Sequence, residues 1–196
     1  MKNKKSIISI ITFIIFLIIL IIILKNENTI IDKYIINIFK KKNETITNIM
    51  KIITFFGSAY IIIPLTIILL LTLKNKKNKI LIVNNLIIVT LINQILKYTF
   101  QRTRPIDQIV IEKGYSFPSG HSMVSMAFYG MLIYLLMKSN NKYKTPLIIL
   151  LSILIILIGI SRIYLNVHYP TDVIAGICIS ISYLMIFIQI TKPIIN

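Results

Sequence analysis

Apolar residues in this chain come in long unbroken runs, without the alternation of a half-buried strand. Six runs reach or approach the ~20 residues that cross a hydrocarbon core: Ser6–Leu24, Ile52–Leu73, Ile80–Phe100, His121–Met137, Leu147–Leu165 and Val173–Ile190. Lipid offers no partners to backbone groups, so each run is expected as a helix. Burial in lipid overrides the modest helix propensity of isoleucine. The fourth and sixth runs are short and open on polar residues. No internal repeat or low-complexity linker interrupts the pattern. The expected fold class is all-α, a polytopic bundle of six transmembrane helices forming one integral membrane domain over residues 1–196.

The gaps between runs divide by parity. The N-terminus (Lys2, Lys4, Lys5), the second loop (Lys74, Lys76, Lys77, Lys79), the fourth loop (Lys138, Lys142, Lys144) and the tail (Lys192) are short and basic. The positive-inside rule places these in the cytoplasm and the other loops outside, in the plasma membrane. The first loop strains this rule, because it carries six lysines from Lys25 to Lys51 against Glu27, Asp32 and Glu44. Within it, Ile30, Ile31, Tyr34, Ile35, Ile38 and Phe39 fall on one helical face, with Lys33, Lys40, Lys41 and Lys42 off it. This predicts an interfacial helix, either a gate for lipid or a plain amphipathic connector.

The chain has 22 basic and 6 acidic residues among 196, a net charge of +16. In a soluble protein that excess would suggest nucleic acid. Here the bases sit in short gaps between membrane-grade segments, where they set topology and meet anionic head groups, so no nucleic-acid partner is expected. The single cysteine, Cys178, lies in an apolar run and reads as a small buried hydrophobe. The N-terminal run is too long for a signal-peptide core and lacks a small-residue cleavage site, so it reads as a retained anchor.

Candidate chemistry gathers at the ends of these runs. Pro118-Ser119-Gly120-His121 opens the fourth span. Its unpaired first N–H groups and partial positive charge suit a phosphate oxygen, and Gly120 lets an anion approach the backbone. The same four residues also describe an ordinary cap. Lys97 lies near the end of the third span, with Asn93 one turn earlier on its face. An intramembrane cation is costly and usually functional, although a lysine at a helix end can snorkel. Arg104 precedes Pro105, which makes the chain extended there. Arg102 reads as surface charge or a head-group contact. Arg162, after Ser161, interrupts an apolar helix and should face a polar cavity. Asp172 follows His168 by four residues, either complementing a helix dipole or fixing the proton on one imidazole nitrogen and freeing the other to attack. Two histidines and an aspartate could make a zinc site. The cations around them argue against a dication, so neither metal nor cofactor is expected.

Together these residues resemble the signature of the type 2 phosphatidic acid phosphatase family, the lipid phosphatases related to vanadium haloperoxidases. Lys97 with Arg104-Pro105, Pro118 to His121, and Ser161-Arg162 with His168 and Asp172 match its three motifs in order and spacing, over residues 97–172. The resemblance implies that His168 is the nucleophile and forms a phosphohistidine, and that Asp172 orients it. His121 would protonate the leaving oxygen and later activate water. Lys97, Arg104, Arg162 and the backbone N–H groups of Ser119 and Gly120 would hold the phosphoryl oxygens. The expected substrate is a lipid phosphate or pyrophosphate at the outer face, first a polyprenyl (undecaprenyl) pyrophosphate, then phosphatidic acid or phosphatidylglycerol phosphate. An anion channel is the alternative of another class. It fits less well, because the polar groups gather at one face and do not line successive spans.

Overall fold

The computed structural model describes residues 2–27 and 29–195, with side chains described for 4–27 and 29–191. The side chains of Lys2 and Lys192, used above for sidedness, lie outside that range. The described residues form helices joined by loops: α1 (Lys2–Lys25), α2 (Ile30–Ile38), α3 (Glu44–Phe55), α4 (Ala59–Thr72), α5 (Lys76–Phe100), α6 (Gly120–Lys138), α7 (Lys144–Tyr164) and α8 (Pro170–Ile195). Helices α1, α5, α6, α7 and α8 are each long and apolar enough to cross a bilayer. Helices α3 and α4 reach that length only as a pair, bent by 42°. The protein is a multi-pass membrane protein of the all-α class.

The expected span over Ile52–Leu73 is therefore corrected: it is broken at Gly57-Ser58. Helix α3 ends at its C-cap Phe56, whose carbonyl accepts a hydrogen bond from the Tyr129 hydroxyl at 2.7 Å. Ser58 precedes the first turn of α4. A carbonyl freed by a break in lipid needs such a partner. The bend carries the amino-terminal half of the pair against α7, while α4 touches α5 only loosely.

Helix α6 is the hub, packed by α5, α7 and α8, and α1 lies along α8. Apolar burial gives little drive between helices in lipid, so packing and hydrogen bonds between helices matter more. Ser9 on α1 bonds the Ser182 carbonyl and hydroxyl on α8, each at 3.1 Å. The Asn85 amide on α5 donates to the Ala127 carbonyl on α6 at 2.8 Å. Isoleucines such as Ile7, Ile10, Ile18 and Ile21 stay exposed along α1, as a lipid-facing surface should.

Tracing the helices puts the α4–α5 and α6–α7 turns at one face and the 101–119 and 165–169 loops at the other. Lys5 and Lys138 both stack on the Tyr134 ring, at 4.7 and 4.8 Å, so the start of α1 shares the first of these faces. All three motifs lie at the second. Helix α2 also lies there, in the position expected of an interfacial helix, but its sides are assigned differently. Ile30, Ile31, Tyr34 and Ile38 point away from the protein, Ile35 and Phe39 are half-buried, and the docked side holds Asp32. Lys42 is not a free surface charge. Its ammonium bonds the Tyr164 carbonyl at the end of α7 and lies over the Tyr164 ring at 4.3 Å.

Candidate active site

Each motif is held by a local feature that its sequence explains. Asn75 caps α5, and Gln101 ends it in the left-handed conformation, turning the chain onto the motif face with Lys97 in the last turn. Ser119 caps α6: its side chain receives the Ser122 N–H at 3.4 Å and the Ser122 hydroxyl at 2.9 Å. Pro170 starts α8, where a missing N–H costs nothing, and places Asp172 in the first turn.

His168 is 1% exposed and sits between two partners. Its Nε2 lies 3.2 Å from an Arg104 guanidinium nitrogen. Its Nδ1 lies 3.5 Å from Asp172 Oδ2 and 3.4 Å from the Ser116 hydroxyl. Arginine can only donate, so Nε2 must accept and the proton belongs on Nδ1, facing the carboxylate. That leaves the Nε2 lone pair pointing at the cation. Burial, followed by the charges of Arg162, Arg104, Lys97 and His121, holds the imidazole well below the ordinary histidine range. The ring is therefore neutral and competent as a base or nucleophile.

Asp172 is fully buried and its carboxylate is saturated. Oδ2 accepts from the Ser116 hydroxyl and from the Tyr169 N–H at 2.9 Å, and Oδ1 from Arg102 at 2.5 Å. Arg102, expected at the surface, is 1% exposed. It bridges Asp172 to Asp32 on α2, 2.7 Å away, and stacks on the Tyr169 ring at 4.1 Å. The reason is desolvation: two buried carboxylates need a cation between them more than the surface needs another charge.

Arg104 is fixed by carbonyls of Gly114 at 3.0 Å and Val167 at 2.8 Å, which aim one guanidinium edge at His168. Arg162 is 1% exposed. It reaches Thr54 on α3 and the Glu112 carboxylate, both at 2.7 Å, while its Nε is buried without a partner. Glu112 was not singled out from sequence. Burial raises its carboxyl, but the charge and hydrogen bond of Arg162, with help from His121 and Arg104, outweigh this and keep it below the usual carboxylate range. Lys97 donates to the Tyr115 carbonyl. Asn93, on the same face of α5, donates to the Pro118 carbonyl at 3.2 Å and so ties α5 to the start of α6.

One expectation is corrected at the α6 N-terminus. The Ser119 N–H donates to the Asp172 carbonyl at 3.1 Å, so it is not free for an anion. That bond forms because α8 runs close beneath: a Cβ on Gly176 would meet the Ser119 carbonyl at 3.0 Å. Of the two expected backbone donors, Gly120 remains, in the first helical turn where N–H groups lack helical partners.

A cavity of about 390 Å³ opens beside His168, with Arg162, Arg102 and Asp172 set behind its lining. Lys97, Arg104, Glu112, Gly120, His121 and His168 line its polar end. Ile62, Ile63, Leu86 and Val124 line the other, where α4 passes α5. Such a space accepts an anion at one end and hydrocarbon at the other. Among the described residues no three His, Cys, Asp or Glu side chains are grouped to hold a metal ion.

Residues 78–195 match the PAP2 superfamily. Phosphatidylglycerophosphatase B of Bacillus subtilis is 39% identical over 50% of this chain, an alignment that takes in 49% of that protein, or about half its length. An undecaprenyl-diphosphatase of Sulfolobus acidocaldarius is 31% identical over 76% of this chain and 74% of its own. The crystal structure of a transmembrane PAP2 type phosphatidylglycerolphosphate phosphatase from Bacillus subtilis superposes with a TM-score of 0.86 at 28% identity, over 95% of this chain and 96% of that one. Aquifex aeolicus LpxE shares the fold, with a TM-score of 0.64 at 24% identity over 80% and 93% of the two chains. The chain belongs to the PAP2 superfamily.

Proposed function

We propose that this protein removes phosphate from a membrane lipid phosphate or pyrophosphate, without a metal, through a phosphohistidine on His168. The observation that carries the reading is the two-sided hold on His168, with a carboxylate behind Nδ1 and a guanidinium at Nε2. An anion drawn to Arg104 arrives at the one ring nitrogen with a lone pair.

The chemistry then balances with residues present. The Nε2 lone pair attacks phosphorus as the bond to the leaving oxygen breaks, and His121 gives that oxygen its proton. Positive charge on the His168 ring is offset by Asp172. Charge on the equatorial oxygens is met by Lys97, Arg104, the free Nε of Arg162 and the Gly120 N–H. His121 next takes a proton from water, whose oxygen attacks phosphorus and breaks the P–N bond. Inorganic phosphate leaves and His168 is neutral again. The fixed cations perform the charge neutralisation that a metal would supply in other phosphoryl-transfer enzymes.

The apolar end of the cavity supports sideways admission of a lipid tail between α4 and α5. We take a polyprenyl (undecaprenyl) pyrophosphate as the leading substrate, in line with the Sulfolobus relative. Phosphatidylglycerol phosphate is the second reading, favoured by the Bacillus relative and the Bacillus structure, and phosphatidic acid belongs with it. The short basic turns on the opposite face support cytoplasmic termini and a site facing outside the plasma membrane. Because the site gathers residues from α2 through α8, we treat 1–196 as one catalytic domain.

Phosphate release by purified protein from undecaprenyl pyrophosphate, phosphatidylglycerol phosphate, phosphatidic acid and a soluble diphosphate tests this. Wild type should act on at least one lipid, and His168→Asn should be inactive while folding normally. Normal turnover by that variant would remove the nucleophile assignment, and anion flux through liposomes without hydrolysis would favour a channel.

A further inference from the structure

Arg102 and Asp32 form a buried pair that the phosphatase reading does not use. Both are 1% exposed, yet they are separated by 70 positions and belong to different elements. Arg102 divides its guanidinium. One nitrogen serves Asp172 at 2.5 Å and the Thr171 hydroxyl at 2.8 Å. The other serves Asp32 at 2.7 Å and the Glu27 carbonyl. Asp32 also receives the Thr171 N–H at 2.9 Å and the Thr171 hydroxyl at 2.8 Å. It therefore sits at the N-terminus of α8, beside the aspartate that backs the nucleophile.

The charge count gives this arrangement a consequence. Asp172 paired with Arg102 alone would be a neutral unit, with little field left to stabilise a cation on His168. Asp32 adds a second carboxylate, so the trio carries one net negative charge. In a desolvated site that charge acts strongly on the adjacent ring. The α2 helix that supplies it turns Ile30, Ile31, Tyr34 and Ile38 outward at the level where the chain leaves α1.

Resting on the phosphohistidine reading above, we infer that Asp32 is a positioning residue for that reaction: by sharing Arg102 with Asp172 it leaves one net negative charge behind His168 and makes the surface helix α2 part of the active site.

The test uses the full chain in detergent with farnesyl pyrophosphate as probe, vanadate as an affinity readout, and melting followed by circular dichroism. Asp32→Asn should lower kcat on the order of tenfold, the scale of losing an outer partner of a histidine-orienting carboxylate, with KM and vanadate affinity nearly unchanged. Arg102→Gln should fall further, because it leaves two carboxylates facing each other. The double variant Asp32→Asn/Arg102→Gln restores one net negative charge and should turn over faster than either single variant. A merely structural pair would put the double at or below the worse single. Asp32→Glu keeps the charge and should retain most of the activity, which keeps the test open if Asp32→Asn does not fold. Wild-type kcat in Asp32→Asn, a double variant no faster than the singles, or a folded Asp32→Glu as slow as Asp32→Asn would each overturn the inference. A wild-type enzyme that releases no phosphate, or an active His168→Asn, would instead overturn the function on which it rests.

Discussion

Adding one methyl group at Gly57 tests how closely the broken second span supports the site. A Cβ built there would lie 2.7 Å from Ile158 Cγ2, 2.9 Å from the Ser125 hydroxyl and 3.3 Å from Cδ2 of the His121 ring. Ile158 and Ser125 are fully buried on α7 and α6, so neither can step aside into lipid. Overpacking of this kind costs about 1–3 kcal/mol. For a chain of this size that is a fall in Tm of roughly 2–4 °C per kcal/mol. The third contact concerns chemistry. A shift of the His121 ring moves the proposed acid off the leaving oxygen, and a displacement approaching 1 Å can cost up to about 100-fold. Gly57→Ala should therefore lower kcat about tenfold or more with KM little changed. Ile158→Ala removes the closest clash at its own cavity cost. The double variant should be more stable than the sum of the singles by about 1 kcal/mol or more, since touching residues couple. Phosphate-release kinetics and thermal melts in detergent read both effects. Wild-type kcat and Tm in Gly57→Ala, or strict additivity in the double, would refute the packing argument.

Arg162→Lys should lose about 10²–10³ in kcat, because one ammonium cannot hold Thr54 and Glu112 and still present a donor to phosphate; near-normal turnover would remove Arg162 from the clamp. The pH profile follows from His168, whose pKa is lowered. Its neutral form persists as pH falls through about 6.5, the ordinary histidine value, and is lost only at lower pH. Once substrate ionisation is allowed for, log kcat/KM should show no acid-side break near that value, and a break that can be assigned to His168 would contradict the buried geometry. Activity should survive a strong chelator and be blocked by vanadate as a phosphoryl mimic. Loss to the chelator with recovery on adding Mg²⁺ or Zn²⁺ would defeat the cation clamp.

What could be read from the chain alone follows physical range. Membrane spans are local, so five of the six runs were legible as single helices, and the ends of α5, α6, α7 and α8 moved by only a few residues. The pairing of His168 with Asp172 was legible because four positions on make a helical neighbour. Arg102, Asp32 and Glu112 were not, because their meaning lies in partners 50 to 139 positions away. In the sequence Arg102 is one of two arginines flanking Thr103, and nothing local distinguishes the fully buried one from the half-buried one that lines the cavity. The break at Gly57 left a weak trace: Gly-Ser inside an apolar run is punctuation that could have been weighed. The partner of the Ser119 N–H is hidden from the sequence for a further reason. Capping rules describe a helix end in solvent, whereas here α8 supplies a carbonyl.

These distant partners explain how so many cations can be held in one membrane pocket before substrate arrives. Lys97, Arg102, Arg104 and Arg162 would repel one another in a desolvated site. Asp172 and Asp32 hold Arg102 from two sides, away from the cavity, whereas Glu112, which lines the cavity, holds Arg162 from one. Lys97 and Arg104 are instead anchored on carbonyl oxygens, which orient a cation without cancelling its charge. Four cations against three carboxylates leave one net positive charge, with the uncancelled edges at the cavity. A phosphate entering there meets that uncancelled charge, and a neutral lipid head group does not. The proposed selectivity for phosphorylated lipids would then be set by residues outside the three motifs as much as by those within them.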